Sequence, residues 1–98
     1  MIFNQIVKPL AEKDIAELYV WYNKEREGLG EGFLDELEIS LKLTTENPFQ
    51  YQVRYKGVRM KKIQRFPVCL HFTIEDKTVF VHAILSTSRN PRVWEKRS

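Results

Sequence analysis

The chain of 98 residues contains one cysteine, two histidines, four glycines and four prolines. A lone Cys69 excludes an internal disulfide and any multi-cysteine zinc site. With only two histidines and no carboxylate at an obvious ligand spacing, neither a metal nor another cofactor is expected. No apolar run approaches the ~18 residues that a membrane span needs, and the opening MIFNQIVKPLAEKD does not read as a signal peptide, so no membrane partner is expected. Scarce cysteine suits a reducing compartment, and the expectation is a soluble, cytoplasmic protein. Repeats, low-complexity tracts and linkers are absent, so residues 1–98 read as one domain. A hydrophobic content of 43% is enough for a single core layer.

What the chain has is a division of charge. Residues 11–46 hold ten acids against four bases, whereas residues 47–98 hold eleven bases against three acids. The mild overall charge of +3 hides this asymmetry, which points to an anionic partner on one side. Arg54, Lys56, Arg59, Lys61, Lys62 and Arg65 follow one another with no acid between them, and Arg89, Arg92, Lys96 and Arg97 crowd the tail.

Residues 2–8 read as a short strand ended by Pro9. Over residues 10–27 Ala11, Ile15, Leu18, Tyr19 and Tyr22 fall on one helical stripe. Gly28-Leu29-Gly30 breaks that helix, and a second spans residues 31–46 on the stripe Phe33, Leu34, Leu37, Leu41 and Thr44 until Asn47-Pro48 stops it. So short a linker predicts an antiparallel helical hairpin. Residues 58–65, 68–74 and 78–85 alternate as strands joined by brief connections, an antiparallel meander. The expected fold is α+β in the order β-α-α-β-β-β, the helical hairpin covering one face of a mainly antiparallel sheet.

Alternation places Val68, Leu70, Phe72 and Ile74 with Val79, Val81, Ala83 and Leu85 on the covered face, and Cys69, His71 and Thr73 with Phe80, His82, Ile84 and Ser86 on the open one. A turn centred between Asp76 and Lys77 would set His71 across from His82, and a turn at Phe66-Pro67 would set Lys62 across from His71. A row Lys62, His71, His82 would bind phosphate or move protons near neutral pH; a two-residue shift of register would break the row while keeping the faces. As solvated side chains of a half-exposed sheet the same residues would do neither. Arg59, Lys61 and Arg65 alternate to the other side, yet long side chains at an edge can reach round to join an anion-binding surface, besides guarding that edge against aggregation.

Tyr22-Asn23-Lys24-Glu25 leading to Gly28-Leu29-Gly30, then Phe33 and Leu37, Arg59, the Phe66-Pro67 turn, the strand 79–85, and Ser88-Arg89-Asn90-Pro91 followed by Trp94 and Arg97 resemble the RelE/ParE toxin superfamily of bacterial toxin–antitoxin systems. The resemblance covers residues 10–97. It implies a small toxin neutralised by a cognate antitoxin. RelE-like members cut messenger RNA on the ribosome without a metal, and ParE-like members instead inhibit DNA gyrase. Cleavage of mRNA is the first expectation here, with gyrase inhibition and a degenerate binding module as alternatives. On the ribonuclease reading Lys62, His71, His82 and Arg89 would be catalytic. Arg59, Lys61, Arg65, Arg92 and Arg97 would bind RNA, and Trp94 would stack on a base. Trp21, off the first helical stripe, and the pair Ile39 and Leu43, opposite the second, would suit an amphipathic antitoxin segment, although isolated exposed apolar residues are ordinary.

Overall fold

The computed structural model describes residues 3–87; Arg89, Arg92, Trp94 and Arg97 lie outside the described residues. Strand β1 (Asn4–Val7) leads into helix α1 (Pro9–Glu25), helix α2 (Leu29–Glu46), a 3₁₀ turn (Pro48–Gln50), and strands β2 (Val53–Tyr55), β3 (Val58–Lys62), β4 (Val68–Glu75) and β5 (Thr78–Ser86). One five-stranded sheet runs in the order β1-β5-β4-β3-β2. β1 joins β5 in parallel, and the other pairings are antiparallel. The expected α+β architecture stands, with β2 as an added short strand.

Both helices follow their sequence stripes. Pro9 sits in the first turn of α1, where a missing N–H leaves no helical bond unmade. Ala11, Tyr22, Phe33, Leu37 and Thr44 are buried, and Ile15, Leu18, Leu34 and Leu41 pack partly buried against the same core. Each fully buried large apolar side chain contributes about 1.5–3 kcal/mol. The break between the helices is built on two glycines with different duties. Gly28 has φ +84°, a left-handed conformation that glycine adopts without strain. Gly30 instead permits close approach: its N–H donates to Asn23 Oδ1 at 2.8 Å, and a Cβ there would lie 2.7 Å from the Tyr19 carbonyl oxygen.

Tyr22, Phe33 and Phe66 form an aromatic triangle with ring centres 5.0–5.7 Å apart, joining both helices to the β3–β4 connection. With Phe66 drawn inward, the turn centres on Arg65–Phe66, and Arg65 takes φ +70°. β3 therefore ends at Lys62, and the β3–β4 register differs by two residues from the expected one: Met60 pairs with His71, and Lys62 with Cys69. Strand β2 escaped the sequence reading because its three residues include exposed Val53 and Arg54 and show no buried alternation. It returns to β3 through Lys56 and Gly57, both at positive φ (41° and 77°), a turn whose twist suits a hairpin.

The expected β4–β5 register holds from Glu75↔Thr78 to Phe72↔Val81 and then breaks at a bulge. His82 is the additional residue, and His71 pairs with Ala83. Beyond the bulge the faces of β5 exchange. Ala83 and Leu85, expected on the helix-covered side, lie with His71 and Cys69, while Ile84 joins Leu70 in the core beneath the helices. Ile84, Leu85 and Ala83 are all apolar, so either alternation buries them. Past the end of β1, the Ile84 N–H on the outer side of β5 donates to Asp14 Oδ2 on α1 at 3.0 Å.

The close approach at Gly30 predicts that Gly30→Ala lowers stability by about 1–3 kcal/mol, through displacement of the Tyr19 backbone or the Asn23 side chain. Gly32→Ala is the matched control, since its added methyl would meet Phe66 at an ordinary 3.9 Å. Urea midpoints should fall for the first substitution and hold or rise for the second.

Candidate functional site

Three of the expected catalytic side chains lie on the sheet, and the bulge and the β3–β4 register separate them. The cross-strand row is Met60, His71, Ala83, not Lys62, His71, His82. His71 is completely buried, and a hydrogen bond of 2.8 Å links its Nδ1 to the Tyr55 hydroxyl. The face on which it sits is not open there: Cys69, Ala83 and Leu85 are buried with it. Burial pushes the Cys69 thiol up, outweighing the opposing charges of Lys62, Arg54 and Lys61, so the thiolate is disfavoured. Lys62 turns its ammonium onto the carbonyl oxygens of Ile63 and Phe66, each at 3.2 Å.

His82 stands apart, half-buried on the bulge, its Nε2 2.7 Å from Thr73 Oγ1. Burial first, and then the charge of Lys8, hold its imidazole below the usual histidine range, with Glu75 pulling the other way. The folded protein thus favours neutral His82.

Arg59 and Lys61 of β3 do face the helix side, as alternation requires, whereas Lys62 does not. Arg59 pairs with Phe72 and Lys61 with Leu70. The Arg59 guanidinium donates to the Tyr51 carbonyl oxygen and lies 5.2 Å from the centre of the Phe49 ring; the Lys61 ammonium lies 5.6 Å from that of Tyr51. Arg65, itself exposed, reaches the largely covered Glu36 carboxylate of α2 at 3.6 Å. Phe49 and Tyr51 were invisible as site residues in the sequence because the Asn47-Pro48 stop reads as a simple helix end. Only their spacing ahead of the bases hints at a role.

Trp21, Ile39 and Leu43 are all exposed. Trp21 lines a groove of about 570 Å³ between α1 and the outer side of β5, together with Leu18, Val20, Lys24, Ile84 and Asp14. Ile39 lines a separate, smaller recess with Asp35, Glu38 and Lys42, so the structure does not gather the three into one groove. Among the described residues no cluster of side chains fits a metal ion, and no helix is long and apolar enough to cross a membrane.

The chain is similar in structure to a protein described as the chromosomal ParDE TA system from P. aeruginosa, with a TM-score of 0.78 and 16% identity, over 87% of this chain and 96% of that one. At that identity the likeness speaks for the fold alone. The sequence itself matches the model of the ParE toxin of the type II toxin–antitoxin system, parDE, over residues 6–91. The chain therefore belongs to the ParE toxin family. No curated protein matches it.

The depressed titration of His82 has a sign that can be checked. Neutral imidazole is favoured in the native state, so its contribution to stability is complete above the unfolded pKa of about 6.5 and is lost as pH falls through the lower folded value. Denaturant unfolding at stepped pH values should show wild type losing more stability on acidification than His82→Gln. Parallel curves would mean that His82 carries no such linkage.

Proposed function

We propose that this toxin inhibits DNA gyrase by binding, without cutting RNA, and that a cognate antitoxin neutralises it by laying an amphipathic segment along the groove beside Trp21. Membership of the ParE family supports gyrase over the ribosome. The observation that carries the choice is the placement of the two histidines and Lys62. One imidazole is sealed in the sheet against Tyr55, the other is bound to Thr73, and the ammonium is turned onto backbone carbonyls. General acid–base cleavage needs these groups converging within hydrogen-bond reach of one phosphate, and among the described residues they do not converge.

The ribonuclease reading keeps the bases of β3 as its support, and one experiment separates the two. Induced expression followed by mapping of mRNA 5′ ends, beside a supercoiling assay with purified gyrase and toxin, should give intact messages and blocked supercoiling. Ribosome-dependent cuts with undisturbed gyrase would return the mRNA interferase, with ribosome and mRNA as partners.

For the antitoxin, the groove offers an exposed indole beside Leu18 and Val20, with Lys24 and Glu17 available for charge pairing at its rim. Trp21→Ala should weaken antitoxin binding by about 1–3 kcal/mol in calorimetry, within the range for truncating an interface aromatic, and leave the unfolding midpoint nearly unchanged. Ile39→Glu, in the separate recess, tests whether the antitoxin extends over α2. Unchanged affinity in both variants would place the antitoxin elsewhere.

A further inference from the structure

Residues 47–74 carry Arg54, Lys56, Arg59, Lys61, Lys62 and Arg65 and no acid. The first five of these bases lie on or beside β2 and β3, and β2 is an edge strand of the sheet. Two aromatic rings just ahead of them in the chain lie against two of these bases. Phe49 is 59% exposed, has its ring edge-on to Phe3 at 5.9 Å, and carries the Arg59 guanidinium 5.2 Å from its centre. Arg59 is in turn held by the Tyr51 carbonyl oxygen, so the cation–ring stack is organised before any ligand arrives. Tyr51 and Lys61 form a second such pair at 5.6 Å, and Arg54 on the edge strand β2 and Lys56 in the turn that follows it are both exposed.

We propose that this edge binds single-stranded nucleic acid, with a base stacking on the Phe49–Arg59 pair and Arg54 and Lys56 meeting the neighbouring phosphates. An acidic peptide would be satisfied by the cations alone. The exposed phenyl ring, which has no polar handle and is already stacked with a guanidinium, is the element that a base uses and a carboxylate does not. The Phe49–Arg59 stack lies on the helix-facing side of the sheet edge, whereas Arg54 and Lys56 belong to the edge strand and its turn, and the inference does not depend on whether gyrase is the target.

Fluorescence anisotropy of the full chain with short labelled thymidine and uridine oligonucleotides, over a series of salt concentrations, tests it. Binding should weaken linearly on a log–log scale with salt. Phe49→Ala should reduce affinity by roughly 5- to 100-fold, and Phe49→Leu, which keeps an apolar group against Phe3, should lose affinity in the same direction while remaining folded. Arg54→Gln with Lys56→Gln should flatten the salt slope by about 1.4, the share of two single-strand phosphates. Similar affinity for the two oligonucleotides would show stacking and phosphate chemistry common to DNA and RNA, and a preference would identify the source. Absence of binding at low salt, or binding indifferent to all these variants, overturns the proposal. So does an acidic peptide that binds this edge without competing with the oligonucleotides, which would make it a protein-docking surface instead.

Discussion

The packing of Phe66 against Tyr22 and Phe33 is the contact on which the rest of the molecule depends. Each helix supplies one ring, and the β3–β4 connection supplies the third, so a single cluster decides how the hairpin sits on the sheet. Such ring pairs are worth about 0.5–1.5 kcal/mol each beyond the area they bury. Their geometric effect is larger than their energy. Drawing Phe66 inward moves the turn by one residue, and that step moves every pairing between β3 and β4. Lys62 comes opposite Cys69 as a result, and its ammonium closes onto the loop that Phe66 anchors.

The second determinant is the extra residue His82 in β5. A bulge exchanges the faces of all that follows it, so Ile84 enters the core under the helices while Ala83 and Leu85 pass to the side of His71. The same bulge leaves the outer side of β5 facing α1, where Asp14 satisfies the Ile84 N–H and the groove lined by Trp21 opens. A local irregularity of the strand thus both disperses the candidate acid–base residues and shapes the recess proposed above for the antitoxin. The acidic helices and the basic sheet edge become two separate surfaces, which fits a protein with one partner that silences it and another that it attacks.

How much of this was legible in the sequence follows from what each feature depends on. The two helices were legible because their apolar stripes repeat at the helical period and glycines and a proline mark their ends. The strands β4 and β5 were legible for the same reason at period two. The registers were not, because they depend on a tertiary contact of Phe66 and on a bulge within Ala83-Ile84-Leu85, a run that is apolar in either alternation. β2 left no pattern, being three residues long at an exposed edge. Among the candidate site residues, alternation correctly set Arg59 and Lys61 apart from Lys62 and His71 by face. It could not show that His71 is buried or that Arg59 lies on Phe49, since both follow from packing across the chain. Arg89, Arg92, Trp94 and Arg97 lie outside the described residues.

A toxin that acts by binding needs its folded surface for growth arrest and not proton transfer by His82 and Lys62. The most direct measurement is the toxicity of the double variant Lys62→Ala/His82→Ala under graded induction, with circular dichroism and antitoxin binding verifying its fold. A binding toxin should still arrest growth at the same inducer level as wild type. Loss of arrest in a variant that still folds and still binds antitoxin would contradict it and put those two side chains back at the centre of the chemistry.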